Sequence, residues 1–205
     1  METKDRIIQE ALKLFAAKGY DGVSMRQIAA AVGIQAASLY SHYAGKESIF
    51  NAIIALSQER YAQTMQRLGF GPGPSPDPRS MLGLKEKDLQ RISRELFLYL
   101  LKDETAAPLR RMLSSEQSRD SIAGKTYQSL YVDEVLESQT RVFEALIAAG
   151  EIRKGDPAVT ALHFYAPFLL LLNRYDRKPE REAEALAAVE AHVSQFLRRY
   201  GKKAK

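Results

Sequence analysis

The sequence predicts an all-α fold: three short helices at the N-terminus, followed by a larger helical body. Three observations carry this expectation. Apolar residues recur at the i, i+3, i+4 spacing of a buried helical face along most of the chain. Glycines, prolines and capping residues interrupt that pattern where helices should start and stop. No stretch reads as a convincing strand, and no internal repeat appears.

In chain order, residues 4–18 read as a first helix with Ile7, Ile8, Ala11, Leu12 and Phe15 on one face. Gly19 is a natural cap, expected in the left-handed αL conformation. A second helix starts near Ser24, where Ser24 and Gln27 have the form of a capping box. It turns Ile28, Ala29 and Val32 inward and ends at Gly33. A third runs from about Gln35 to His42 around Leu39, with Tyr43 packed behind it. From Lys46 a long helix carries Ile49, Phe50, Ile53, Ile54, Tyr61, Met65 and Leu68, a spacer of roughly 30 Å at 1.5 Å per residue.

Residues 69–78, GFGPGPSPDP, are the clearest break in composition. The glycines resemble a phosphate loop superficially. Phosphate cradles work through backbone N–H groups, however, and Pro72, Pro74, Pro76 and Pro78 have none. The segment reads as a connecting loop. A fifth helix is expected over about 85–103, with Leu89, Ile92, Leu96, Phe97, Leu100 and Leu101 inward. Another follows Pro108, using Leu109, Met112 and Leu113. Residues 118–126 are ambiguous, with Gly124 as a kink or break. A helix over 131–149 places Val132, Val135, Leu136, Val142, Phe143, Leu146 and Ile147 on one stripe and is capped by Gly150.

Asp156-Pro157 is a good helix start, with Asp as cap and Pro in the first turn. The helix it opens, over 157–174, is apolar nearly all round and must be buried on more than one side. Part of it therefore reads as a subunit interface, and Pro167 should kink it near His163. A last helix over 179–200 offers a seam of Leu186, Val189, Val193, Leu197 and Tyr200, with Ala183, Ala187 and Ala191 allowing close approach.

Composition narrows the function classes. At 45% hydrophobic and 27% charged, 205 residues suffice for a real core in one body or two small domains. Without cysteine there is neither a disulfide frame nor a thiolate metal site, which fits a cytoplasmic protein. The opening METKDR lacks the apolar core of a secretory signal. Residues 158–172 are too short and too interrupted to span a bilayer. The three histidines, 42, 163 and 192, are far apart in sequence, and no metal-protease, nucleophile-elbow, Walker or dinucleotide spacing occurs. No enzyme, metal or cofactor is expected. The net charge of +5 hints at a polyanionic partner. Residues 1–50 hold six cations against five acids, so bulk charge cannot carry a nucleic-acid argument there.

Spacing can. Ser24, Ile28, Ala29, Gly33, Leu39, Tyr40, His42, Tyr43 and Lys46 fall in the order and offsets of the DNA-binding end of the TetR family of transcriptional regulators, which residues 4–55 resemble. Beyond them the likeness is in outline, including Gly150-Glu-Ile-Arg-Lys-Gly-Asp-Pro157. The resemblance implies an N-terminal helix-turn-helix domain, residues 1–46, and a helical effector-binding and dimerisation domain, residues 47–205. It also implies a ligand-responsive regulator, a repressor released from its operator by a small molecule. The alternative is a helical ligand-binding or interaction protein without sequence-specific DNA binding.

In a helix-turn-helix the second helix enters the major groove while neighbouring helix ends hold phosphates. Ser24 and Lys46 each open a helix and are candidate phosphate anchors, and Tyr40 and His42 can donate to phosphate. Gln35, Ala36, Ala37 and Ser38 would face base edges. Gln35 and Ala37 depart from the residues frequent in the family, so no relative's base preference transfers. Arg26 matches a position that reads guanine in some relatives. The partners implied are a double-stranded, pseudo-palindromic operator, an unidentified effector, and a second copy joined through 157–174 and 179–200. Inward aromatic and apolar positions supply the effector candidates: Phe97, Leu101, Met112, Tyr127, Tyr131, Phe143, His163, Phe164 and Phe168.

Glutamine pairs with adenine and alanine packs on the thymine methyl, so the third helix predicts an A·T-leaning half-site. Selection from random duplexes should return A·T pairs under that helix; strictly G·C-rich half-sites would exclude this reading.

Overall fold

The computed structural model describes residues 2–71 and 77–202. Most of the glycine- and proline-rich loop, residues 72–76, lies outside the described residues, as do Lys203 and Lys205 of the basic tail. The helices are α1 (Thr3–Lys18), α2 (Met25–Val32), α3 (Ala36–His42), α4 (Lys46–Arg67), α5 (Glu86–Lys102), α6 (Ala106–Ser115), α7 (Ile122–Gln128), α8 (Glu134–Ala148), α9 (Pro157–Tyr175) and α10 (Glu182–Tyr200). Extended pairing among the described residues is limited to an isolated antiparallel bridge, Ile152 with Gly201.

The chain forms two compact units, each built from two stretches of sequence. The first comprises residues 1–61 and 102–129; the second comprises 62–101 and 130–205. One division falls inside α4.

In the first unit α1 packs on α2 and α6, α2 on α3, and α6 on α7. The expected face of α1 is buried at Ile7, Ala11, Leu12 and Phe15, while Ile8 is only partly covered. Gly19 differs from expectation in one dihedral. Its φ of 73° needs glycine, but its ψ of 164° lies outside the αL region, so the chain leaves α1 extended rather than curled. Gly33 is αL, with φ 77° and ψ 34°. The α6 helix starts two residues before Pro108, not after it. A proline that early costs no hydrogen bond, because the first N–H groups of a helix have no intrahelical partner. Asp103 satisfies two N–H groups at that end through Oδ1, accepting from Thr105 and Ala106 at 2.9 Å each. Its Oδ2 pairs with Arg60 on α4, at 3.1 Å.

The ambiguous region around 118–126 resolves into a turn and α7. Gly124 is not a break but a buried residue of α7's first turn, its N–H bonded to Ser121 Oγ at 3.0 Å. A Cβ there would lie 2.3 Å from the Arg119 carbonyl oxygen and 2.7 Å from that of Glu116. The helix expected over 131–149 begins differently: α7 leads into a π-helical turn, Ser129–Asp133, before α8.

In the second unit α8 packs on α9 and on the 3-10 turn Pro78–Met81, and α9 packs on α10. Asp156 caps α9 as expected, accepting from Ala158 and Val159 N–H. The α9 helix continues through Pro167 without interruption. The last helix opens as a 3-10 turn, Pro179–Arg181, before α10. One core joins Phe97 and Leu101 to Leu172, Tyr175, Ala185, Leu186 and Val189; another joins Phe143, Ile152, Ala161 and Phe196.

Because backbone oxygens rather than flexible side chains face Gly124, Gly124→Ala should lower stability by about 1–3 kcal/mol in urea denaturation. Gly45→Ala, at a position with open space around it, should change stability by less than ~0.5 kcal/mol.

Candidate nucleic-acid interface

The recognition unit rests on local geometry set by few residues. Ser24 caps α2 as a complete capping box: Gln27 N–H donates to Ser24 Oγ at 3.3 Å, and Ser24 N–H donates to Gln27 Oε1 at 2.8 Å. At the other end of α2, Arg6 donates to the Val32 carbonyl at 2.5 Å, and Ile34 N–H returns to the Ala29 carbonyl at 3.0 Å. Gly33 can then turn the chain sharply into α3. Leu39, fully buried, is the anchor of α3. The rest of that helix is solvent-facing: Gln35, Ala37, Ser38, Tyr40 and His42 are exposed, and Ala36 is half-buried. Gln35 precedes the helix as its N-cap position but makes no side-chain cap. Its amide is therefore not spent on α3's own backbone. Tyr40 is 54% exposed, one of four large hydrophobic residues so placed among the described residues. Arg26 and Ser24 are exposed on α2.

Lys46 stands apart. It opens α4, as the sequence predicts, but its ammonium donates to the Tyr20 carbonyl at 2.8 Å and sits 4.2 Å from the Tyr20 ring centroid. Tyr20 packs on Phe15 and Phe50, with centroids 5.3 and 4.8 Å away. Burial, then the Glu47 and Asp21 carboxylates, raise the Tyr20 hydroxyl above its ordinary pKa, so the ring stays neutral. Sequence reasoning missed Tyr20, although an aromatic directly after the α1 cap was a legible signal for packing there.

The effector candidates fall into separate places. Met112 and Tyr127 are buried in the first unit. Phe97 and Leu101 lie in a core of the second unit, with Phe168 packed against it. Phe143 is buried where α8, α9 and α10 meet, 5.7 Å from Phe164, which lies 5.3 Å from Phe168. Tyr131 is buried in the π-turn, and its carbonyl accepts the Tyr165 hydroxyl at 2.7 Å. His163 is exposed, with Nδ1 2.5 Å from Tyr200 Oη. Three residues not expected complete the aromatic group: His192, Phe196 and Tyr200. Their i, i+4, i+8 spacing on α10 was readable in the sequence. None of the candidates lines the open groove of about 600 Å³ formed by Arg94, Pro179, Glu180, Glu182, Ala183, Leu186, Ala187 and Glu190.

Residues 7–53 match the bacterial regulatory proteins of the tetR family, and residues 87–202 match the AefR-like transcriptional repressor C-terminal domain. The chain belongs to the TetR family. As a TetR-family protein it is a DNA-binding transcriptional regulator, and its helix-turn-helix is α2, Gly33 and α3. It is similar to the HTH-type transcriptional regulator YttP of Bacillus subtilis, 24% identical over 200 residues, 98% of this chain and 89% of that protein. A TetR-family transcriptional regulator from Mesorhizobium loti is 26% identical with a TM-score of 0.71, covering 98% of this chain and 97% of that one. SmeT of Stenotrophomonas maltophilia in its triclosan complex shares the fold, with a TM-score of 0.75 at 20% identity, over all of this chain and 94% of SmeT. Among the described residues no helix is long and apolar enough to cross a membrane.

Phe143 touches two aromatic neighbours and is 4% exposed, so Phe143→Ala in this regulator should cost about 3–5 kcal/mol in chemical denaturation. A loss below ~1 kcal/mol would mean that the ring faces space rather than packing.

Proposed function

We propose that this TetR-family protein is a cytoplasmic, homodimeric repressor, without catalytic activity, that leaves a pseudo-palindromic operator when a small apolar molecule binds. The observation that supports it most is α3, a helix anchored by Leu39 alone whose remaining surface carries uncommitted donors and small apolar groups. Residues 1–46 act as the DNA-binding domain and 47–205 as the effector-binding and dimerisation domain. Gln35, Ala36, Ala37 and Ser38 read base edges from α3, and Arg26 reaches a base from α2. Tyr40 and His42 donate to phosphate. Ser24 and Lys46 hold phosphate at the starts of α2 and α4, where unpaired N–H groups and the helix dipole favour anions. The Lys46 ammonium donates one N–H to the Tyr20 carbonyl, which orients the other two N–H groups and leaves the charge in place.

The dimer uses α9 and α10. On α9, Val159, Leu162 and Leu170 are 47%, 48% and 68% exposed. With Ala166, also exposed, they fall within a sector of about 80° at 100° per residue. Ala183, Ala187 and Ala191 of α10 are exposed as well. Pairing there would set two recognition helices roughly 34 Å apart, or a multiple of it. The effector is placed among the aromatics of the second unit, with Phe164 and Phe168, both half-buried, as its nearest walls. It acts by favouring a different spacing, and it must bind the two states with affinities differing by several kcal/mol for a near-complete switch.

Tyr40→Ala and Lys46→Ala should each weaken operator binding about ten-fold or more in a gel shift while remaining dimeric in solution. Leu170→Glu should yield monomers by light scattering and lose operator binding with them. Unchanged operator affinity in the first two variants would refute the assignment.

A further inference from the structure

The regulator's charge is distributed unevenly. The chain holds 30 Lys and Arg against 25 Asp and Glu. Residues 198–205 contain Arg198, Arg199, Lys202, Lys203 and Lys205 and no acid, so the other 197 residues hold 25 of each sign. The entire excess of side-chain charge is in that one segment, and the fold brings further cations to it. The bridge between Ile152 and Gly201 pins the α8–α9 loop against the end of α10. Arg153 N–H donates to the Tyr200 carbonyl at 2.8 Å, Lys202 N–H donates to the Glu151 carbonyl at 3.0 Å, and Arg153 Nε reaches the Gly201 carbonyl at 3.3 Å. Arg153 is thereby held to the backbone of Tyr200 and Gly201, which Arg199 precedes and Lys202 follows, and Lys154 is next to it in the chain.

Arg153, Lys154, Arg198, Arg199 and Lys202 are all exposed. None has an ion-pair partner among the described residues. The two acids of the loop are occupied elsewhere. The Glu151 carboxylate accepts the Gly83 N–H through both oxygens, at 2.9 and 3.1 Å, and Asp156 caps α9. Complementing the C-terminal dipole of α10 accounts for Arg198 and Arg199 but not for the three cations beyond the helix. Like charges held together repel, and an anion removes that repulsion.

We propose that Arg153, Lys154, Arg198, Arg199 and Lys202 form a second DNA contact, a sequence-independent site for duplex phosphates distinct from the helix-turn-helix. It rests on the protein being a DNA-binding regulator and not on which bases α3 reads. The site is electrostatic without apolar content: the large exposed hydrophobics among the described residues are Tyr40, Val159, Leu162 and Leu170, none of them in this patch. A protein interface has an apolar centre and an inserting membrane helix has apolar side chains; an anionic lipid surface holds cations alone, and the vesicle arm of the test separates it. Duplex phosphate needs no apolar contact, and releases counterions when cations reach it. The first unit carries twelve cations and ten acids, so it supplies little non-specific attraction of its own.

The test is fluorescence anisotropy of a 40-base-pair non-operator duplex titrated with the full-length protein between about 50 and 200 mM salt, the range over which such binding weakens steeply. Lys154→Gln/Arg199→Gln/Lys202→Gln should lower the slope of log affinity against log salt by roughly 2 to 3, at about 0.9 for each phosphate no longer neutralised. A control removing the same charge from acid-paired sites, Arg94→Gln/Arg174→Gln/Arg181→Gln, should keep the wild-type slope. Solution mass and thermal midpoint confirm that both proteins are folded. An unchanged slope in the first variant overturns the proposal, as does an equal drop in the control, which would make the effect one of bulk charge. Loss of pelleting with phosphatidylserine vesicles at an unchanged DNA slope would also overturn it, in favour of a lipid surface. Gln35→Ala, at a position assigned to base edges, separates the two readings when an operator duplex is run beside the non-operator one: it should lose preference for the operator and keep the non-operator slope. If it keeps that preference, the assignment of α3 fails while the slope result stands on its own.

Discussion

The orientation of the recognition unit depends on a knot of three rings. Phe15 at the end of α1, Tyr20 in the turn that follows and Phe50 in the first turn of α4 pack mutually, with centroids 4.8 to 6.4 Å apart. Aromatic pairs at such separations add to the burial of their area. Lys46 closes the knot from outside, over the face of Tyr20. The start of α4 is thus fixed to the end of α1, and α2 and α3 hang between them on two glycine turns. A recognition helix of seven residues has little stability alone. Its position is inherited from this knot and from Leu39.

Much of this was legible in the sequence because short-range chemistry determines it. The Ser24–Gln27 box, the helix end at Gly33, the Asp156 cap and the buried faces of α1 and α2 follow from side chains within a few residues of one another. The order Leu39, Tyr40, His42, Tyr43 and Lys46 was enough to suggest the family. What could not be read was set by distant partners. Gly124 reads locally as a breaker, yet it is required by the Glu116 and Arg119 carbonyls, which fold back over it. The π-turn over Ser129–Asp133 has no local signature, and the carbonyl it presents to Tyr165 belongs to tertiary packing. Pairing of Lys46 with Tyr20 spans 26 residues, and a lysine opening a helix looks the same whether its head is free or held.

The inward aromatics illustrate a different limit. Periodicity says that Phe143, Phe164, Phe168 and Phe97 face the interior, and they do. It cannot distinguish a ring that fills a core from one that borders a ligand. Phe97 and Phe143 are almost fully covered by their neighbours, whereas Phe164 and Phe168 keep part of their surface open. The same holds for α9, whose apolar circumference demanded two covered sides. One is covered by α8 and α10; the outward Val159, Leu162 and Leu170 are what a single chain leaves over.

The discontinuity of the first unit bears on how the protein is made. Its stretches, 1–61 and 102–129, are separated by 40 residues that belong to the second unit. On the ribosome, α1 to α4 emerge without α6, the helix against which α1 packs. They wait for about 70 further residues at roughly 5–20 residues per second, so the unit cannot be completed for several seconds. Closing that separation also carries a loop entropy that a contiguous helix-turn-helix would not. During synthesis the recognition helix and the ring knot that orients it are therefore present before α6 covers α1, and the first unit is completed only after the first 40 residues of the second unit have appeared.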